Sequence, residues 1–63
     1  MKRARLVAHL LRNGCILLRE GAKHSIYRSL FTGVQTSVPR HSVLLISTAR
    51  AICKQLGTPW PPK

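Results

Sequence analysis

The sequence predicts an α+β domain of order α-β-β-β-α, a three-stranded antiparallel sheet with two helices on one face. Three observations point to it. Apolar residues recur at helical spacing near both ends, the middle of the chain alternates at strand spacing, and glycine or proline marks each change of pattern. With 63 residues the chain has room for one small domain whose core can just support folding, so a partner or an oligomer would help.

From Lys2 to Asn13, Leu6, Val7, Leu10 and Leu11 share one helical face. Lys2, Arg5, His9 and Arg12 recur on another, which reads as a basic, solvated stripe. Gly14 is placed to stop this helix in a left-handed turn. Cys15-Ile16-Leu17-Leu18-Arg19 then reads as a first strand, closed by a turn at Glu20-Gly21. Lys23 to Leu30, containing Ile26 and Tyr27, reads as a second. After Thr32-Gly33, the run Val34-Gln35-Thr36-Ser37-Val38 puts Val34, Thr36 and Val38 on one face and Gln35 and Ser37 on the other, until Pro39 removes a backbone donor. In the last element Leu45, Ala49, Ile52 and Leu56 follow helical spacing, with Gly57-Thr58-Pro59 as the stop. Its start is either capped by Ser42 or shorter and capped by Ser47 or Thr48. The domain is thus expected over residues 1–57, and residues 58–63 as an extended, mostly exposed Pro-rich tail. Cys15 and Cys53 lack the close spacing of a zinc or redox pair and read as buried thiols.

Eleven Lys and Arg against one carboxylate give a formal net charge of +10, which calls for an anionic partner. Nucleic acid, an acidic membrane surface and an acidic protein all qualify. The lone carboxylate, Glu20, cannot by itself build a Mg²⁺ site or a carboxylate pair for acid/base work, so neither a metal nor another cofactor is expected. Any catalysis would rest on His, Lys, Arg, Ser or Tyr. His9 and Arg12 interrupt the leucine-rich start before it reaches the length of a signal core or a membrane span, so a cytoplasmic protein without a membrane partner is expected.

Five segments carry a family resemblance: Leu10-Leu11-x-x-Gly14, Leu18-Arg19-Glu20-Gly21, Lys23-His24-Ser25-Ile26-Tyr27-Arg28, Val38-Pro39-Arg40-His41-Ser42, and Thr48-Ala49-Arg50-x-Ile52-x-Lys54-Gln55-Leu56-Gly57. In this order they resemble the HicA toxins of bacterial type II toxin-antitoxin systems over nearly the whole chain. The resemblance implies a fold like the double-stranded-RNA-binding domain, an mRNA-cleaving (mRNA interferase) activity that inhibits translation, and neutralisation by a HicB-like antitoxin, alone or in a hetero-oligomer. It also implies a functional histidine in the second strand, the position of His24. Two stretches depart from the family pattern. Arg28-Ser29-Leu30-Phe31 stands where arginine, asparagine and proline are common, and Val43-Leu44-Leu45-Ile46 is more apolar than expected. The latter reads as a helix start, an antitoxin-docking patch or a self-association patch.

RNA is cut without a metal when a base takes the proton of its 2′-hydroxyl, and imidazole is largely neutral near neutral pH. His24 is the expected base, with Lys23, Arg28 and Arg40 as phosphate-directed cations. His41 is a candidate acid or phosphate contact, or a cap for the last helix. Arg5 and Arg12, with Lys2, are placed to follow a phosphate backbone from the first helix. Tyr27 reads as a base-stacking ring or as part of the sheet. The leading expectation is an endoribonuclease acting on mRNA. The alternatives are a protein that binds structured RNA without cutting it and, less well supported by a strand-like middle, a membrane-surface peptide.

Overall fold

A computed structural model describes residues 1–62; the last residue of the expected tail, Lys63, lies outside them. The elements are α1 (Arg3–Arg12), β1 (Cys15–Glu20), β2 (His24–Ser29), β3 (Gln35–Pro39) and α2 (Ile46–Leu56). The strands form one antiparallel sheet in the order β1-β2-β3, so the predicted α-β-β-β-α architecture is present.

The faces of the sheet follow from register. Cys15, Tyr27 and Val38 point into a core completed by Leu6 and Leu10 of α1, by Leu44, and by Ala49, Ile52, Cys53 and Leu56 of α2. Ser25 and Ser29 are buried on the same face as Tyr27, as period-two alternation along β2 requires. Both helices pack on this face, and the other is open. In β1 the pairing passes from Leu17 opposite Tyr27 to Arg19 opposite Ile26, leaving Leu18 as a bulge. Strict alternation would have turned Arg19 toward the helices; the extra residue turns it to the open face.

Gly14 has φ of 76°, and a Cβ there would collide with the ring of Phe31. The α1–β1 turn therefore needs glycine twice over, for its backbone and for the close approach of the β2–β3 loop. That loop closes when Ser29 N–H donates to Val34 O at 2.9 Å. Val34, expected as the first residue of the strand, lies outside β3 with its side chain exposed, because its N–H donates to Thr32 Oγ1 and Ser29 O is taken by Gly33 N–H.

Three further expectations change. The start of α2 carries no side-chain cap from Ser42, Ser47 or Thr48; Leu45 holds the N-cap position. The reason is that residues 42–44 are committed elsewhere. Arg3 N–H donates to Ser42 O at 2.9 Å, Leu44 N–H donates to Met1 O at 2.7 Å, and Lys2 bridges Val43, so an extended segment leads directly into the helix. Leu11, expected among the apolar residues of α1, is 52% exposed. His9, expected on a solvated stripe, is only 5% exposed. The helix is turned this way because the tail folds back onto it rather than extending into solvent. His9 Nε2 donates to Pro59 O at 2.7 Å, Arg5 Nη2 donates to Pro62 O at 3.0 Å, Pro62 is buried and Trp60 packs on the core. Asn13 Nδ2 donates to His9 O at 2.8 Å and to His9 Nδ1 at 3.3 Å, so both ring nitrogens are engaged.

Cys15 and Cys53 are buried free thiols. Burial, and secondarily the nearby Cys53, pushes the Cys15 thiol above its ordinary pKa.

Candidate active site

The β1–β2 turn and the exit of β3 meet at one corner of the sheet. Gly21 N–H donates to His24 O at 2.7 Å, which makes the turn tight and brings His24 onto the first position of β2. Across the ladder His24 pairs with Pro39, and Arg40 N–H donates to Lys23 O at 3.1 Å. Two segments remote in sequence are thereby laid side by side: Lys23-His24 and Arg40-His41.

A support lies beneath them. Arg3 Nε donates to Pro39 O at 2.8 Å and its Nη2 to Ser25 Oγ at 2.9 Å, tying α1 to β3 and β2. Ser25, fully buried, donates its own hydroxyl hydrogen bond to Glu20 Oε1 at 3.2 Å. Arg40 Nη1 donates to Gly21 O at 3.1 Å and stands 3.7 Å from Glu20 Oε2. Both partners of that ion pair are about half exposed, so its worth is geometric more than energetic, within about 1 kcal/mol. Its effect is to hold the carboxylate on Ser25 and Arg40, on the helix-side register position of β1 and away from the open face.

Ala22, Lys23, His24, Arg40 and His41 line one concavity of about 450 Å³, with all five exposed to solvent. An exposed imidazole flanked by two cations and a second imidazole can exchange protons while holding an anion. Among the described residues no three His, Cys, Asp or Glu side chains gather as a metal would require.

The other expected contacts are dispersed. Arg28 shares the open face with His24 but sits four residues along β2, about 13 Å away at strand rise. Its guanidinium lies over Gly33, at the far end of the sheet. Arg5 and Arg12 belong to α1, in the layer across the sheet: Arg5 holds the tail, and Arg12 lines a cleft with His9, Asn13, Pro59 and Pro61. Tyr27 is buried on the helix side, which removes it as a stacking platform. Arg19, by contrast, was hidden by the regular alternation of β1 and reaches the open face only through the bulge, which no residue type in Leu17-Leu18-Arg19 announces. Arg3 and Glu20 carry no local signal as supports, because the partners of Arg3, Pro39 O and Ser25 Oγ, and the Arg40 partner of Glu20 are distant in sequence.

Fold and site together define a small, strongly basic α+β domain with a histidine–cation corner on an otherwise open sheet. The family model described as "HicA toxin of bacterial toxin-antitoxin" matches residues 3–58, nearly the whole chain. The protein belongs to that family: it is a toxin of a toxin-antitoxin system, and its partner in that system is an antitoxin. No curated protein matches the chain, and no solved structure does. No helix among the described residues is long and apolar enough to cross a membrane.

Proposed function

We propose that this toxin is an mRNA endoribonuclease that needs no metal, acts in the bacterial cytoplasm to inhibit translation, and is neutralised by a HicB-like antitoxin. The supporting observation is the shared concavity of Lys23, His24, Arg40 and His41. His24 takes the proton from the ribose 2′-hydroxyl, whose oxygen attacks the adjacent phosphorus. The bond to the 5′-oxygen breaks, leaving a 2′,3′-cyclic phosphate, and the departing oxygen takes up one proton, so charge balances across the step. Lys23 and Arg40 hold the phosphate oxygens as negative charge moves onto them. His41 contacts the same phosphate or supplies the leaving-group proton.

Purified protein incubated with single-stranded and duplex RNA in EDTA tests the reading. Cleavage is expected, together with its loss by 10²-fold or more in His24→Ala while RNA binding and folding persist. Undiminished cutting by that variant would remove His24 as the base, and binding without cutting by the wild type would leave an RNA-binding toxin.

A further inference from the structure

We propose that the open sheet face is a nucleoside-binding subsite for single-stranded RNA, formed by Arg19, Ile26, Ser37 and Gln35 and continuous with the His24 corner. The inference rests on the proposed nuclease reading for its substrate, and its geometry stands apart from it. Register places side chains on this face in three cross-strand rows. The first is His24 with Pro39, the second Arg19, Ile26 and Ser37, and the third Ile16, Arg28 and Gln35. Directly opposed side chains lie about 5 Å apart, and successive rows about 7 Å apart. A concavity of about 440 Å³ joins Lys23 and His24 to Arg19, Ile26 and Ser37. A second, of about 510 Å³, continues from Arg19, Ile26 and Ser37 to Leu18 and Gln35. The shared residues make one groove running diagonally from the histidine across the sheet.

Its chemistry selects the occupant. The floor is apolar, from half-buried Ile26 and exposed Leu18, and suits the flat face of an unstacked base. Gln35 and Ser37 offer donors and acceptors to a base edge or a 2′-hydroxyl, and Arg19 offers a forked donor to a phosphate. The sole Asp or Glu side chain, Glu20, faces Ser25 and Arg40 on the helix-side register, so among the described residues no side-chain carboxylate lines this groove. A duplex presents its phosphates outward and keeps its bases stacked, and would leave this floor empty. A single strand fills it, with a phosphate at the histidine corner and the neighbouring nucleoside over Ile26.

The test uses the full chain and a short 2′-O-methyl oligoribonucleotide, which keeps the bases, phosphates and 2′-oxygen acceptors of RNA but has no internal 2′-hydroxyl to react. On titration, amide NMR signals of Arg19, Ile26, Gln35 and Ser37 are expected to shift, while those of Arg5 and Arg12 stay in place. Arg19→Ala should weaken binding about tenfold, the loss of one charge-assisted contact, and Gln35→Ala should change the ranking of the four homopolymers. Both side chains are exposed, and circular dichroism checks that the fold is kept. Open-face shifts in a protein that never cuts RNA would end the nuclease reading and uphold this one. Shifts confined to α1, a spectrum unchanged by the oligonucleotide, or unchanged RNA affinity in both variants while the antitoxin complex weakens would overturn it.

Discussion

At the scale of single residues, the proposed reaction turns on His24 and His41. The first is placed by a tight turn, the second by the exit of β3, and both face one concavity. If His41 protonates the leaving oxygen, the need for it disappears when that oxygen is replaced by sulfur, which departs as a stable thiolate. His41→Ala should then be slow by 10²-fold or more on ordinary RNA and close to wild type on a 5′-bridging phosphorothiolate, whereas His24→Ala stays slow on both. Equal impairment of His41→Ala on the two substrates would reduce it to a phosphate contact. Sequence alone shows Lys23-His24 after a glycine turn and Arg40-His41 after Val-Pro, and it is the HicA resemblance that singles out His24. Arg28 was drawn to His24 by nearness in sequence alone; strand rise carries it to the other end of the sheet. The burial of His9 has the opposite cause: its partner, Pro59, is fifty residues away and no helical periodicity contains it.

Elements were more legible than their faces. All five were expected in the right order, since each is announced by its own period and its own stop. The rotation of α1 was not. Leu10 and Leu11 read alike on the apolar stripe, yet Leu10 is fully buried and Leu11 half exposed, because the returning tail claims the flank of the helix. Leu10→Ala should therefore lower the unfolding free energy by about 2–5 kcal/mol, and Leu11→Ala should change it by less than about 0.5 kcal/mol, as urea denaturation will report. Similar losses at both positions would contradict the rotation. Likewise the bulge at Leu18 reverses the face of every residue after it in β1. Arg19 gains the open sheet and Glu20 the buried serine by a single unpaired residue.

For the whole molecule, ten net positive charges on a core of ten residues set both affinity and stability. RNA binding should fall steeply with salt, as counterion release requires. Stability should fall in alkali. The folded-state pKa of Cys15 is raised above its unfolded value by burial, so between the two the native state holds a proton that the unfolded chain has lost. The contribution is complete below the ordinary thiol pKa of 9.0 and disappears as pH rises through the folded value. Urea midpoints should drop as pH rises above the ordinary thiol pKa, and Cys15→Ala should flatten that slope; an unchanged slope in the variant would assign it to other groups.

The contacts that close the fold join its extremes. Met1 to Arg3 pair with residues 42–44, and Arg5 and His9 of α1 receive Pro62 and Pro59. During synthesis the first helix emerges long before these partners. Arg3 is out before Ser25 and Pro39, the groups it braces, and His9 waits longer still, for the carbonyl of Pro59. The helix made first is thus the element whose side chains wait longest for what they hold, and the corner bearing His24 and His41 gains its brace when β3 follows.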